Sequence, residues 1–309
     1  MTDAQERQRC GAIARESGEP LFATAPLSKA WLLIEHPGPW GADALTGSSV
    51  DSKVSAELDR RSKEHGFRIL FLRRSGGSSS GSRSCFLARA AQCEYWMERL
   101  EIDGPGDLLD VDPGVLGRPA APGLGKPAES FFAVCTHGRR DPCCAEYGRR
   151  LVRSFQTTAG DAEGVWESSH QGGHRFAANL ALFPHGLFYG QVTPESAGRI
   201  LESFKDGRLV LDGYRGRSAF DATTQAADYM VRRELGLTGI DDLLPTGKKD
   251  LGRGRYRVAF NGAMGALSVT LEESDGPMRP ESCNKPKLTP VRLYRQLDLT
   301  PDVGESPTF

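Results

Sequence analysis

No apolar run in the 309-residue chain approaches the roughly 20 residues needed to cross a bilayer, so a membrane-spanning protein is not expected. Nor does either sign of charge dominate: 39 lysines and arginines face 40 aspartates and glutamates, for a formal net charge of −1. That balance leaves no electrostatic footprint for nucleic acid or an anionic lipid surface, and neither is expected as a partner. The opening residues MTDAQERQRCGAIARESGEP lack the apolar segment of a secretion signal. Seven cysteines, an odd number spread over a mid-sized chain, do not read as a disulfide framework. The C-x-x-C spacing of thiol–disulfide enzymes is missing too. These absences point to a reducing, cytoplasmic setting, where clustered cysteine and histidine serve metal or redox chemistry.

Length allows two ordinary domains or one large one with a buried core. After about 20 polar residues, expected to be frayed or loosely docked, Ala30-Trp-Leu-Leu-Ile-Glu35 has strand character and is stopped by the turn-rich HPGPWG. Val54 to His65 reads as a helix ended by Gly66, and Phe67 to Leu72 as a strand. GGSSSGS at 76–82 reads as a flexible hairpin loop, with further strands around Cys85 and Tyr95. A dense run of glycine and proline between Gly104 and Pro127 is the expected linker. A second unit then opens with the apolar strand Ser130–Cys135, a helix over Ala145–Gln156 and a strand from Val165. A helical turn or two is expected over Arg175–Leu180, then a hairpin turning at Pro184–Gly186. The last helix of the unit has Thr193 as N-cap and Pro194 in its first turn.

This order, strand–helix–strand–helix–hairpin–helix, is that of a thioredoxin-like α/β domain. Residues 20–115 carry a weaker version, with Glu35 where Cys135 falls, and are expected to be a degenerate copy. Residues 126–218 form the second domain. Residues 219–309 are expected to add an α+β extension, a helix over Ala219–Leu235 and a β-hairpin with a turn at Asn261-Gly262.

What bulk structure does not explain is AVCTHGRRDPCCAEYG followed by WESSHQGGHRFAAN, that is, C-x8-C and then H-x3-H. Cys135, Cys144, His170 and His174 make two thiolates and two imidazoles, a donor set for Zn²⁺ or for an iron–sulfur cluster of mixed ligation. Cys135 would end a central strand, and Cys144 would sit at a helix N-terminus, where the dipole stabilises a thiolate. The two glycines between the histidines permit unusual backbone angles and close approach to a bound group. Taken singly, His36, His65, His137 and His185 carry no role, and Cys10, Cys85, Cys93 and Cys283 read as small apolar or exposed residues. Cys143 competes with its neighbour Cys144. Two other readings stand beside the cluster: a zinc-binding interaction module, although C-x8-C exceeds the usual C-x2-4-C knuckle, and a thiol–disulfide redox protein, for which a vicinal Cys143-Cys144 pair is a poor exchange site.

The segments CTHGRRDPCCAEYGR and WESSHQGGHRFAAN, with LLIEHPGPWG and GYRGRS, resemble the sucrase/ferredoxin-like family over roughly residues 20–220. The resemblance implies a thioredoxin-fold [2Fe–2S] protein whose ligands fall on Cys135, Cys144, His170 and His174, which favours Cys144 over Cys143. It implies one-electron transfer between an unidentified reductase and an unidentified acceptor, by a carrier rather than a stand-alone enzyme. With both histidines on one iron, the potential should exceed that of an all-cysteine ferredoxin and fall with rising pH. Arg139, Arg140, Arg175, Arg215 and Arg217 are expected to form a positive rim for an acidic partner. No paired-carboxylate arrangement supports a glycosidase reading of the family's label.

Overall fold

The computed structural model describes residues 9–74, 81–159, 164–262 and 265–301, without the side chains of 156–159 and 286. Most of the GGSSSGS loop lies outside these residues, as do the first eight. From Cys10 onward the N-terminal stretch is not frayed. Cys10, Gly11 and Ala14 are buried in a short helix, α1 (Cys10–Glu16), because its small residues fall on one face and pack against the turn at His174–Phe176.

Strand β1 (Ala30–Glu35) is buried at every position, as expected of a central strand covered on both faces. Helix α2 (Ser52–His65) starts where the Asp51 side chain accepts the backbone N–H groups of Lys53 and Val54, and ends at left-handed Gly66. It returns the chain to β2 (Arg68–Arg74), parallel to β1, while β3 (Arg83–Arg89) lies antiparallel on the other side. β4 (Trp96–Ile102) and the short β5 (Lys126–Pro127) complete that edge.

The second unit repeats the plan. β6 (Phe131–Cys135) is joined through helix α3 (Pro142–Ala159) to parallel β7 (Val165–Ser168). β8 (Leu180–Phe183) then pairs antiparallel with β6, and β9 (Leu187–Tyr189) with β8. Helix α4 (Pro194–Lys205) follows, capped by Thr193, and β10 (Tyr214–Arg217) joins β9. Both units therefore carry the thioredoxin-like strand order, β4-β3-β1-β2 in the first and β9-β8-β6-β7 in the second. They meet antiparallel at β2–β7, which makes one ten-stranded sheet. Arg73 and Glu167, paired across that seam, hold a 2.6 Å ion pair. Their inner faces share one apolar cluster in which Trp31 of the first unit lies edge-on to Phe183 of the second, with ring centres 5.3 Å apart.

Two expectations change. The stretch between 104 and 127 is not a free tether: its turns at Pro105–Leu109 and Pro113–Gly117 bury Leu108, Val115 and Leu116 against the first unit. The helical turns expected over Arg175–Leu180 reduce to one tight turn at His174–Phe176 before β8 begins.

The extension is larger than a helix and a hairpin. Helix α5 (Ala222–Leu235) packs on a four-stranded antiparallel sheet of β11 (Leu243–Gly252), β12 (Arg255–Gly262), β13 (Gly265–Ser282) and β14 (Lys285–Pro301). β11 escapes sequence reading because, past the buried Leu243, it is an exposed edge of polar and charged residues. The long β13–β14 hairpin carries its tip back to the start of α3, where the Cys283 N–H donates to Asp141 Oδ2 at 2.8 Å. No helix among the described residues is long and apolar enough to cross a membrane.

Close contact between α3 and β6 depends on Gly148. A Cβ at that position would stand 2.0 Å from the Cys135 carbonyl oxygen, a backbone atom that cannot swing aside. We expect Gly148→Ala to lower unfolding free energy by about 2–4 kcal/mol in urea titration. Wild-type stability in that variant would mean that the helix does not press on the strand end.

Candidate metal centre

Cys135 closes β6, and Cys144 lies in the first turn of α3; both thiols are buried. His170 follows the end of β7, and His174 opens the tight turn before β8. Sulfur atoms of Cys135 and Cys144 and a ring nitrogen of His170 fall within 4.8 Å of one another. His174 is adjacent rather than within that group: its Nδ1 is 3.9 Å from Cys144 Sγ, and its ring stacks on His170 with centres 4.0 Å apart. All four residues singled out by spacing are thus brought to one place, with the sulfurs together and the imidazoles together.

Local electrostatics suit bound metal. A hydrogen bond from the Cys144 thiol lowers the Cys135 pKa, and the backbone N–H groups of His137 and Gln171 and the Arg215 charge add to this against desolvation. The same contact, with burial, raises Cys144. Burial pushes His170 down to about 2, and also lowers His174. Both imidazoles are therefore neutral near pH 7, with lone pairs free to coordinate. His170 Nδ1 is buried and has no hydrogen-bond partner, an expensive state for a polar atom unless a ligand meets it. Two buried thiols beside neutral imidazoles are donors that fit a thiophilic metal group.

Three residues that position the loop were missed or misread from sequence. His137 accepts the His170 backbone N–H on Nδ1 at 3.2 Å, so its proton sits on Nε2, which meets the Gly41 carbonyl at 2.6 Å. Asn179 donates to the Gly173 carbonyl at 2.9 Å. Arg215, expected on a positive rim, is instead fully buried; its guanidinium donates to Gly172 O at 3.0 Å and Asn179 Oδ1 at 2.8 Å, and to Thr24. Burial lowers its pKa to about 9. Gly172 and Gly173 take φ of +96° and +74°, and a Cβ on Gly173 would lie 2.5 Å from an Arg215 nitrogen. Arg217 is also buried, bonded to Asp241 and the Ile240 carbonyl, because β10 is covered along its length. Arg175 pairs with Glu19 at 2.7 Å. Of the expected rim, Arg139 is exposed and Arg140 half-buried. The GYRGRS segment showed that these arginines belong together, but not that they face inward.

The extension contributes as well. Ser282 and Lys285 from the hairpin tip, with His170, Gly172, His174 and Arg215, line a cavity of about 290 Å³ beside the imidazoles.

Burial holds five of the six histidines below their ordinary value, His36, His137, His170, His174 and His185. An unfolded chain binds those protons near the usual 6.5, while the folded metal-free protein resists them until far lower pH. Between those limits the unfolded state holds more protons, so stability must rise with pH. We expect the urea midpoint of metal-free protein to fall steadily as pH drops from 6.5 toward 4. A midpoint constant across that window would contradict burial of neutral imidazoles.

A model of the sucrase/ferredoxin-like family matches residues 21–216. Among curated relatives, altered inheritance of mitochondria protein 32 of Debaryomyces hansenii is 35% identical over 97 residues, which is 28% of this chain and 36% of that protein. Its Meyerozyma guilliermondii counterpart is 34% identical over 97 residues, 28% of this chain and 34% of that one. The match thus spans about a third of the length of these relatives. Two solved cysteine-to-serine variants of the thioredoxin-like [2Fe–2S] ferredoxin from Aquifex aeolicus are 22% and 23% identical. Each covers 26% of this chain and 93% of its own, with a TM-score of 0.23.

Proposed function

Since the chain belongs to the sucrase/ferredoxin-like family, we propose that it is a ferredoxin-like electron-transfer protein in which Cys135, Cys144, His170 and His174 hold a [2Fe–2S] cluster. The single observation that carries the reading is the convergence of the Cys135 and Cys144 thiols with a His170 ring nitrogen, with the His174 imidazole stacked on His170 and 3.9 Å from Cys144 Sγ. Such a cluster supplies one-electron chemistry when bound.

The protein's own groups do the rest. Cys135 at the strand end and Cys144 in the first turn of α3 would bind the group as thiolates, and the Arg215 charge would offset theirs. Gly172 and Gly173 supply the left-handed backbone that carries the loop from His170 to His174, and His137 fixes the His170 backbone. A histidine ligand bonded through one ring nitrogen keeps a proton on the other, and that proton leaves more readily when the centre carries more positive charge. The cavity beside His174 is the proposed exit for that proton.

Four exposed arginines, Arg139, Arg149, Arg150 and Arg153, line a groove of about 850 Å³ next to the Thr136–Pro142 loop. This groove is the proposed seat for an acidic protein partner, the reductase or the acceptor. Unpaired cysteines support a reducing compartment, and the cytoplasm is the proposed location.

Purified protein should be red-brown, carry iron and acid-labile sulfide in equal amounts, and show an EPR signal on one-electron reduction. His170→Cys and His174→Cys should both alter that signal, and the wild-type midpoint potential should fall as pH rises into the alkaline range. A colourless protein holding zinc at these residues would replace the redox reading by a structural one. Spectra unchanged in both variants would remove the histidines from the ligand set.

A further inference from the structure

We propose that Cys10, Cys143 and Cys283, with the carboxylate of Asp141, form a second metal site, for Zn²⁺, beside the centre already described. The three cysteines lie 133 and 140 positions apart in sequence and come from α1, the first turn of α3 and the tip of the β13–β14 hairpin. Their sulfurs nevertheless form a tight triangle: 3.7 Å from Cys10 to Cys143, and 3.4 Å from Cys283 to each of the others. A tetrahedral zinc with metal–sulfur bonds of about 2.3 Å spaces its sulfurs by roughly 3.8 Å. The triangle needs to open by only a few tenths of an ångström to accept the ion. No pair is joined as a disulfide, although all three thiols touch.

Asp141 supplies the fourth donor. Its two oxygens lie 3.9 and 4.0 Å from Cys10 Sγ, and all four donor atoms fall within 4.8 Å of one another. The carboxylate is fully buried. It accepts the backbone N–H of Cys143 at 2.9 Å, the backbone N–H of Cys283 at 2.8 Å and the Ser282 hydroxyl at 2.8 Å. Those donors aim it in the way outer partners orient metal ligands. In turn the Cys10 backbone N–H points at Cys283 Sγ at 3.4 Å. An apolar plug would serve packing without placing three ionisable sulfurs against a buried carboxylate. A divalent cation gives that arrangement its charge balance: each thiol releases its proton to solvent as its sulfur binds, and nothing is oxidised or reduced.

The site would be structural in effect. It would pin α1 and the hairpin tip to α3 at Cys143, one residue from Cys144, so that both covers of the neighbouring centre are fastened by one ion. Nothing in it requires that the neighbouring centre hold iron.

Zinc analysis and zinc-edge X-ray absorption on the full chain test the proposal. We expect about one zinc per chain with a first shell of three sulfurs and one oxygen. Cys10→Ser and Cys283→Ser should each weaken Zn²⁺ binding by more than about a hundredfold in chelator competition, leaving iron content unchanged. Cys93→Ser, at an exposed cysteine, should change neither. If the serine variants fail to fold, the wild-type sulfur count still decides. A wild type that takes up no stoichiometric zinc would overturn the proposal, as would two or fewer sulfurs around it, or zinc lost in Cys135→Ser but kept in Cys283→Ser.

Discussion

Arg215 is withdrawn from water to fix three segments at once: the residues around Thr24, the Gly172–Gly173 carbonyl turn and Asn179 at the start of β8. A buried guanidinium is tolerable only when its donors are matched, and here they are matched by carbonyl, amide and hydroxyl oxygens rather than by a carboxylate. No carboxylate cancels the charge, and it favours the ionised form of the buried Cys135 thiol. Gly173 is needed because the guanidinium occupies the space a side chain would take, and Gly172 because its φ is +96°. Histidine placement, loop shape and local potential therefore share one cause.

Duplication of the thioredoxin-like order explains how so short a β7 can stay in register. β2 of the first unit pairs with it on one side and β6 on the other, so it is never a sheet edge. The matching strand ends of the two units differ. Where β6 ends on Cys135, β1 ends on Glu35, whose buried carboxylate accepts the Ser84 backbone N–H at 2.8 Å. One strand thus ends in a thiol, the other in a carboxylate that accepts from its own unit's backbone.

Much of this was legible in the residues. Apolar runs at β1 and β6, the Asp51 and Thr193 caps and the Gly66 stop are local signals, and the helices and strands they mark are where expected. Spacing also singled out Cys135, Cys144, His170 and His174, because unlike residue types clustered without a packing reason. What could not be read were relations between distant segments. Nothing local in Cys10 or Cys283 tells that they meet Cys143, since each looks like an isolated small residue until α1 and the hairpin tip converge on Asp141. Arg215 and Arg217 carry the composition of a surface, and only the pairing of β10 with β9 turns them inward. β11 hid for the opposite reason: its polar residues form an exposed edge strand held by main-chain bonds to β12.

The path of the β13–β14 hairpin sets an order of events during synthesis. Asp141 and the four candidate ligands leave the ribosome well before Cys283, which is 142 positions beyond Asp141. Ser282 and Lys285, which line the cavity beside the imidazoles, are synthesised only after both thioredoxin-like units. The wall that the hairpin tip adds to that cavity is therefore the last of its sides to be made.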